Sequence, residues 1–371
     1  MLKVVDVVYH CHHEYDQPQQ VLAKHSRSLG FVDHIKDRVQ YEVISHLNYE
    51  GKEKINGVQY AFFKRGNEPW QIPFKTHRYI RSVKPDVVLV HGFIFPLQVI
   101  ALKLVVGKKC RIILHHHADQ PAPSVRRVFQ KIADRFVAAY LFTSRELAKP
   151  WLEQKVIRNK DKCVEVLGAS TLMQAKDKQV SKSKLGVSGS INILWVGRLN
   201  ANKDPMTVLK GFQQFVLQEP AAMLFMIYQT EELLEQLQQE INKDHLQNNV
   251  RLVGKLPEEE LADWYSAADI FISGSHSEGS GYALVEAMHC GCIPVVTDIP
   301  SFNKITAAGK YGFLYPAGNG DALGVLLKGI RTMSLDELSA KTITYAKSHL
   351  GFKNIADELF ECCTKLVSVK R

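Results

Sequence analysis

Residues 268–297 are ADIFISGSHSEGSGYALVEAMHCGCIPVVT, and this stretch decides the fold. Residues 269–273 form an apolar run that predicts a buried strand of a parallel sheet, because neither face shows the polar alternation of a half-exposed strand. After a loop rich in glycine and serine, residues 282–290 predict a helix, with Gly291 where a left-handed C-terminal cap favours glycine. Residues 293–297 are again strand, which completes a unit of strand, loop, helix and strand.

In a parallel sheet, such a unit places its loop and the N-terminus of its helix at the carboxyl edge, where ligands bind. Two carboxylates lie there, Glu278 in the loop and Glu286 in the helix, with seven residues between them. Both can accept hydrogen bonds from sugar hydroxyls. The free N–H groups near Ser280, Gly281 and Tyr282 form a partly positive end that suits a phosphate. Taken singly, Glu278 is more simply a solvated loop residue and Glu286 a complement to the helix N-terminal dipole.

The full string EGSGYALVEAMHCGCIPVV, residues 278–296, resembles a signature of retaining glycosyltransferases with the GT-B architecture, chiefly glycosyltransferase family 4. In that signature two glutamates are separated by seven residues. The resemblance implies that Glu278 contacts the transferred sugar and belongs to the catalytic site, and that Glu286 contacts the nucleotide ribose. Ser280 departs from the family, where an aromatic residue is more usual, so we expect an altered sugar pocket and an intact motif.

A second motif, GRLNANKDP at residues 197–205, directly follows a predicted strand. It places Arg198 and Lys203 in and beyond the loop at the carboxyl edge, where two cations can neutralise a diphosphate. By itself the string is also compatible with an ordinary charged surface loop. In the resembling family, a G-R-L string followed by lysine grips the donor's diphosphate at this position. The two motifs therefore occur in the order and at the separation that the resemblance implies.

Apolar runs alternate with segments of helical period along the whole chain, which is the signature of a doubly wound α/β fold. We therefore expect an α/β protein of GT-B architecture, with two Rossmann-like doubly wound parallel-sheet domains facing a cleft. The predicted strands are residues 4–9, 41–44, 58–63, 86–90, 111–115 and 138–143, then 191–196, 223–228, 250–253, 269–273, 293–297 and 312–315.

Four segments make up the expected domain organisation. Residues 1–172 are the N-terminal, acceptor-binding domain, and residues 191–350 are the C-terminal, nucleotide-sugar-binding domain. Residues 173–190 are rich in lysine and serine and lack a sustained apolar period, so we place the interdomain linker there. The resemblance implies that residues 351–371 form a C-terminal helix that packs back on the N-terminal domain.

Histidines follow two strands of the N-terminal half. His91 follows one, and His115, His116 and His117 end the next. Three consecutive histidines suggest a metal site, but neighbours in an extended segment point to opposite faces, so we expect none. The resemblance implies a histidine here that contacts the donor sugar near the reacting carbon, and the distance to Pro121 favours His117 as that catalytic residue. His91 is a weaker candidate for substrate binding on the same edge.

The first loop, HCHHEYDQPQQ at residues 10–20, lies where members of the family commonly have a glycine-rich turn that approaches the phosphates and the acceptor. This loop contains no glycine. Its polar side chains either serve an unusual acceptor or are solvated. They are His10, His12, His13 and Glu14.

The composition, 46% hydrophobic and 23% charged over 371 residues, is typical of a soluble globular protein with two domains. Seven cysteines without disulfide spacing indicate a reducing compartment, and Cys290 and Cys292 are expected to pack rather than to bind metal. The first residues lack the apolar core of a secretory signal, and residues 87–106 contain too many polar side chains for a membrane span. We therefore expect a cytoplasmic protein.

Charge is divided unevenly along the chain. Residues 1–190 contain 31 Lys and Arg against 17 Asp and Glu, a balance of +14, whereas the remainder carries −5. An anionic membrane surface or an acidic acceptor would suit the basic half, which would place the protein peripherally at the inner face of the membrane. Residues 124–140 are amphipathic, and a helix of this kind more often covers its own sheet. Its expected apolar side consists of Val125, Val128, Phe129, Ile132 and Phe136.

The expected function is retaining, metal-independent glycosyl transfer, of hexosyltransferase type, from a nucleotide-diphosphate sugar to a glycan or lipid-linked acceptor in the synthesis of cell-surface polysaccharide or glycolipid. The donor is a co-substrate, and we expect no cofactor, bound metal or nucleic acid. Metal-dependent transferases typically have closely spaced aspartates, and the chain has no D-x-D string. The alternatives are a nucleotide-sugar epimerase, a phosphorylase on the same fold, and a noncatalytic nucleotide-sugar-binding subunit.

Overall fold

A computed structural model describes residues 1–64, 70–117 and 119–368. The chain divides into two compact units. One consists of Met1–Ser170 together with the C-terminal stretch from Phe352, and the other is Thr171–Gly351. Each unit contains one β-sheet and one large apolar core.

The first unit is built on an eight-stranded sheet. Its elements up to residue 165 are β1 (Leu2–His12), α1 (Pro18–Lys24), α2 (Ser26–Leu29), α3 (Val32–Ile35), β2 (Val39–Leu47), β3 (Gly51–Ile55), β4 (Val58–Phe63), α4 (Phe74–Val83), β5 (Val87–His91), α5 (Pro96–Val106), β6 (Arg111–His115), α6 (Ser124–Ala133), β7 (Val137–Phe142), α7 (Lys149–Glu153) and β8 (Cys163–Glu165). The strand order is β3-β4-β2-β1-β5-β6-β7-β8, and neighbours are parallel except for β3 and β4.

The strand order of this sheet reverses between β1 and β5, which are paired in parallel. Open α/β sheets bind ligands at such a point, outside the carboxyl ends of the strands. Strand β5 is buried from Val87 to Val90, as expected of a central parallel strand with both faces covered. His91, the last residue of β5, is in register with His115, the last residue of β6. The sheet therefore brings these two histidines to the same edge.

The second unit has a six-stranded parallel sheet. Its elements are α8 (Lys178–Leu185), β9 (Asn192–Gly197), α9 (Pro205–Val216), β10 (Met223–Tyr228), α10 (Leu234–Lys243), β11 (Val250–Gly254), α11 (Glu258–Ala267), β12 (Ile270–Ser273), α12 (Tyr282–His289), β13 (Ile293–Thr297), α13 (Pro300–Ile305), β14 (Phe313–Tyr315), α14 (Gly320–Ile330) and α15 (Leu335–His349). The order β11-β10-β9-β12-β13-β14 is the doubly wound 3-2-1-4-5-6 arrangement, with its reversal between β9 and β12. The expected α/β fold class is confirmed.

The stretch expected to be an interdomain linker, residues 173–190, instead contains α8 and belongs to the second unit. Asp177 caps the helix by accepting a hydrogen bond from the N–H of Val180 at 2.8 Å. The lysines that suggested a linker have acidic partners on the same unit: Lys178 Nζ lies 2.5 Å from Asp269 Oδ1, and Lys184 Nζ lies 2.6 Å from Asp263 Oδ2. Ion pairs, rather than an apolar stripe, attach residues 173–190 to the rest of the second unit.

The C-terminal helix α16 (Phe352–Ser368) completes the first unit. Arg38 Nη1 donates a hydrogen bond to Asp357 Oδ1 at 2.7 Å, and Arg111 Nε donates to the carbonyl of Leu366 at 3.1 Å. Gly30 lies directly under the ring of Phe352, where a Cβ would meet ring atoms at 2.4–2.8 Å. Two polar contacts and one close packing contact therefore fix α16 to this unit.

Two short strands were not predicted from the sequence. They are β3 and β8, which lie at the two edges of the first sheet. Helix α6 also differs from expectation, because Val125 and Val128 are 67% and 54% exposed. The helix is anchored instead by Gln130, whose side chain accepts a hydrogen bond from the N–H of Ala122 and donates one to the carbonyl of Phe93.

In the described part of the chain, none of the helices combines the length and the apolarity needed to span a membrane.

Candidate functional site

The loops that follow β9 and β12 meet at the carboxyl edge of the second sheet. Gly274 allows the approach, since a Cβ there would lie 2.6 Å from the carbonyl oxygen of Asp204 and 3.2 Å from that of Lys203. Gly281 then starts α12 with φ +61°, and a Cβ there would lie 2.6 Å from Ile305 Cδ1. Both glycines are therefore required by the packing of this edge.

Lys203 and Glu278 form an ion pair between these two loops. Both side chains are largely shielded from water. Ser275 Oγ also donates a hydrogen bond to Glu278 Oε1 at 2.9 Å, and it lies 3.1 Å from Ser273 Oγ. The two residues assigned to the diphosphate and to the transferred sugar are thus brought together, with the carboxylate held by a hydroxyl chain that begins at the end of β12.

Glu286 is buried in α12, with 3% of its surface exposed. The hydroxyl of Tyr265, on α11, donates a hydrogen bond to Glu286 Oε2 at 3.1 Å. Its carboxylate is therefore oriented from a neighbouring helix. Tyr265 was not among the predicted site residues. Nothing in the sequence distinguishes it, because a buried aromatic residue in a helix is usually part of a core.

The remaining residues predicted for this site differ in exposure. Arg198, at the end of β9, is exposed, whereas Ser280 and Gly281 are buried and Tyr282 is partly buried. Glycine with positive φ at the helix start leaves the first N–H groups of α12 directed away from the helix, which is the arrangement that binds anions. The structure thus places the exposed Arg198 and one helix N-terminus at the edge that Lys203 and Glu278 occupy.

Two further residues of this edge were missed, Asp204 and His276. Asp204 caps α9, because its carboxylate accepts from the N–H of Thr207 at 3.0 Å and from its hydroxyl at 2.6 Å. His276 Nε2 lies 2.9 Å from Asp204 Oδ2. An aspartate directly before Pro205 is a helix-start signal that could have identified the cap, whereas no sequence signal joins it to His276.

In the first unit, three histidines gather at the ends of β5 and β6. His91 Nδ1 and His117 Nε2 are 2.7 Å apart, and the rings of His115 and His117 are 4.7 Å apart. Behind them, His91 Nε2 lies 2.7 Å from Asp6 Oδ1, and the hydroxyl of Tyr41 donates to Asp6 Oδ2 at 2.7 Å. The two predicted histidines, His91 and His117, are therefore in direct contact, and a buried carboxylate lies beside His91.

Burial lowers the pKa of His115 well below its usual value, and the neighbouring His117 and His91 lower it further. The pKa of His117 is lowered in the same way, by burial and then by His91. Both rings are consequently neutral at neutral pH and carry lone pairs. His116 points elsewhere, with Nε2 3.0 Å from the carbonyl of Asp119.

The first loop contains both exposed and buried polar side chains. His10, His13 and Glu14 are exposed, but His12 is buried. His12 Nε2 lies 3.0 Å from His25 Nε2, and its Nδ1 lies 3.5 Å from Glu14 Oε1. The loop that lacks glycine therefore has a histidine pair at its base.

The two cysteines at the joint between α12 and β13 are buried, as predicted. Burial raises the pKa of the Cys290 thiol to about 12, and Cys292 Sγ donates to the carbonyl of Tyr265 at 2.9 Å. Both thiols are free and protonated, so they contribute packing.

The family model described as Glycosyl transferases group 1 matches residues 177–349, which is nearly the whole second unit. Mannosylfructose-phosphate synthase of Agrobacterium fabrum is 27% identical over 191 residues, which are 49% of this chain and 42% of that protein. Alpha-monoglucosyldiacylglycerol synthase of Streptococcus pneumoniae is 29% identical over 174 residues, 46% of this chain and 39% of that protein. The chain thus spans less than half the length of these two relatives.

The fold is similar to that of Anabaena Alr3699/HepE in complex with UDP and glucose, with a TM-score of 0.73 over 98% of this chain and 100% of that one. Sequence identity between the two is 15%, so this likeness shows the fold alone. The family match covers the β9 and β12 loops, where the cations and carboxylates of the candidate site lie. The chain has the GT-B fold, and residues 177–349 of its second unit match the family model of the glycosyl transferases of group 1.

Proposed function

We propose that this protein transfers a sugar from a nucleotide-diphosphate sugar to an acceptor, with retention of the anomeric configuration. The observation that carries the proposal is the ion pair between Lys203 and Glu278 where the strand order of the second sheet reverses. A cation for the diphosphate and an acceptor of hydroxyl hydrogen bonds are adjacent there, beside the N-terminus of α12. Few ligands other than a phosphorylated sugar need all three groups together.

Donor binding exchanges this ion pair for contacts with the ligand. The diphosphate takes the Lys203 ammonium, the exposed Arg198 and the N–H groups near Gly281, while hydroxyls of the sugar take the Glu278 carboxylate. Glu286, oriented by Tyr265, accepts from the ribose, as the family resemblance implies. In this assignment Lys203 and Glu278 have charged or polar partners both with and without the donor.

The reaction requires no bound metal in this proposal. Negative charge builds on the diphosphate as the bond from the anomeric carbon to the phosphate oxygen breaks, and fixed cations with a helix N-terminus stabilise it. The acceptor oxygen forms its bond to the anomeric carbon on the same face, and its proton passes to the departing phosphate oxygen. Glu278 orients the sugar rather than forming a covalent bond to it, and His117 positions the reacting sugar.

The acceptor is assigned to the first unit, as a glycan or a lipid-linked sugar in cell-surface polysaccharide or glycolipid synthesis. The name of the streptococcal relative refers to a glucosyldiacylglycerol, which supports a lipid acceptor. The +14 balance of residues 1–190 and the exposed Val125 and Val128 on α6 support reversible contact with an anionic membrane. Flotation with neutral and anionic vesicles tests this contact, and equal, negligible binding to both would remove it.

Three alternatives predict different products. An epimerase changes the donor without an acceptor, a phosphorylase cleaves a glycoside with phosphate, and a noncatalytic subunit binds the donor without turnover. A thermal-shift screen of nucleotide sugars identifies the donor, because a ligand that binds only the folded state raises the melting temperature. Incubation of that donor with glycan and glycolipid acceptors then distinguishes transfer from the three alternatives, since formation of a new glycoside supports the proposal. Epimerised donor, or binding without turnover on every acceptor, would contradict it.

A further inference from the structure

Three histidines of the first unit form a pocket of nitrogen ligands at the ends of β5 and β6. One ring nitrogen from each of His91, His115 and His117 can be chosen so that all lie within 4.8 Å of one another. No metal site was expected from the three consecutive histidines, because neighbours in an extended segment point to opposite faces. The structure replaces His116 with His91, which β5 supplies in register with His115. Three ligands therefore converge from two adjacent strands.

We propose that His91, His115 and His117 bind one Zn²⁺ ion, with water at a fourth position. Tetrahedral zinc with Zn–N bonds of about 2.0–2.1 Å separates its ligand nitrogens by about 3.3 Å. The distances between the three histidines straddle that value, since one pair is 2.7 Å apart and all lie within 4.8 Å. The three nitrogens therefore lie close enough together to share one ion.

A carboxylate lies directly behind one of the three histidines. A histidine that binds zinc typically donates its other N–H to a carboxylate, which fixes its tautomer and orientation. His91 Nε2 faces Asp6 Oδ1 at 2.7 Å, and the Tyr41 hydroxyl holds the other oxygen of Asp6. A proton on Nε2 leaves His91 Nδ1 with the lone pair, and Nδ1 is the atom that faces His117. Nδ1 is therefore the ring nitrogen of His91 that faces the pocket, and Nε2 is the one that faces the carboxylate.

His115 supplies an independent observation. It is buried, and neither of its ring nitrogens has a hydrogen-bond partner among the described residues. A buried polar atom without a partner costs free energy, and native proteins rarely leave one without a reason. A metal ion satisfies one of these nitrogens directly. Soft or borderline divalent ions bind imidazole well, whereas Mg²⁺ prefers oxygen ligands, so Zn²⁺ fits this donor set.

The site is inhibitory if the proposed function holds, and this consequence rests on that function. Zinc occupies a ring nitrogen of His117, the residue assigned to positioning the sugar. Transfer itself needs no metal in the proposal, so zinc removes a working group and supplies none. We expect Zn²⁺ to slow transfer reversibly and a chelator to restore the rate.

Binding of Zn²⁺ is measured on the full chain by calorimetry after treatment with chelator, and visible absorption of Co²⁺ reports tetrahedral nitrogen ligation. We expect one ion per chain. Asp6→Asn weakens binding by about 10- to 100-fold, the range found when the carboxylate behind a ligating histidine is lost. His115→Asn weakens it at least as much, because it removes a ligand. His116→Gln is the matched control, adjacent in sequence, and keeps the affinity of the unmutated protein.

Circular dichroism and cooperative unfolding show which variants fold. If His115→Asn does not fold, the Zn²⁺ affinity of Asp6→Asn decides whether the site exists. Equal Zn²⁺ affinity in the unmutated protein, Asp6→Asn and His116→Gln would overturn the site. The inhibitory role fails separately, if zinc saturates the site while transfer continues unchanged. Should no donor and acceptor give transfer, the proposed function fails and the binding data still decide whether the zinc site exists.

Discussion

The ammonium of Lys203 contacts the carboxylate of Glu278 across 75 residues of sequence, because β9 and β12 are neighbours in the second sheet. Each strand delivers its loop to the same edge, and Gly274 lets the two loops touch. The pair joins the two motifs that the sequence presents separately. It also provides a direct way to test what each charged group does.

Replacing the two glutamates should have different kinetic effects. Glu278→Gln is expected to lower kcat with a smaller change in donor affinity, because this carboxylate is assigned to the transferred sugar. Glu286→Ala should mainly weaken donor binding, since it removes the proposed ribose contact. A lost hydrogen bond to a charged group is worth about 1.5–3 kcal/mol, or roughly 10- to 100-fold. Steady-state kinetics on both variants, with the exposed Glu259→Gln as control, measure this, and unchanged kcat/KM in both would refute the site assignment.

The two cations should each contribute to diphosphate binding. Arg198→Ala and Lys203→Ala are expected to weaken the affinity for a nucleoside diphosphate by about tenfold or more, because phosphate charge at the sheet edge is then less compensated. Calorimetry measures the dissociation constants, with the exposed Lys255→Ala as a control of equal charge change. Affinities of the first two variants within twofold of the unmutated protein's would contradict the assignment.

Removal of divalent ions should not slow transfer. Excess chelator is expected to leave the initial rate unchanged, or to raise it where trace zinc occupies the histidine site. The anomeric coupling of the product, followed by NMR as it forms, should show the configuration of the donor. Activity that disappears with chelator and returns with a divalent ion, or a product of inverted configuration, would refute this mechanism.

Acid should destabilise the protein in part through His289. Burial lowers the pKa of His289, although a hydrogen bond to the carbonyl of Val285 opposes this effect. Below about pH 6.5 the unfolded chain therefore binds a proton that the folded chain does not. The stabilisation is present above that pH and is lost as the pH falls through the lowered pKa of the folded state.

The variant His289→Gln should have a weaker dependence on pH than the unmutated protein. Urea unfolding of both proteins at about pH 7.5 and about pH 5.5 measures the two differences in free energy of unfolding. We expect the variant's disadvantage to be smaller at the lower pH. The same difference at both pH values would show that His289 does not titrate on unfolding.

The ion pairs of α8 should differ in their effect on stability. Asp269 is buried, and its carboxylate accepts from the N–H of Asn192 at 2.7 Å as well as pairing with Lys178. Asp269→Asn is expected to lower the free energy of unfolding by about 1.5–3 kcal/mol, because a buried charged acceptor is lost. Lys184→Gln should change it little, since the Lys184 side chain is 60% exposed. Denaturant titration of both variants checks this, and equal losses would contradict it.

In the second unit, the sequence by itself determined where the strands lie along the chain. The apolar runs at 223–228 and 293–297 coincide with β10 and β13, and Gly291 has the predicted positive φ of 92°. Local signals were sufficient there, since each strand is a continuous apolar run bounded by glycine or polar residues. The charged residues of the two motifs lie in the loops and the helix that follow these strands, and the family resemblance supplied their expected roles.

Only the tertiary structure decided which side chains meet. Lys203 with Glu278, Tyr265 with Glu286, and His276 with Asp204 are pairs from different elements, and their contacts follow from sheet order and loop packing rather than from local pattern. The lysine-rich residues 173–190 resembled a linker because the partners that attach α8, Asp263 and Asp269, lie about 80 to 90 residues further along the chain.

The histidine pocket shows the same division. The sequence placed His115 and His117 at a strand end, but three consecutive histidines alternate in direction and argue against a shared ligand. The parallel register of β5 with β6 set His91 beside His115, and the neighbouring β1 supplied Asp6 behind it. Residue type and strand position are local properties, whereas a ligand set depends on which strands are neighbours, and only the folded sheet determines that.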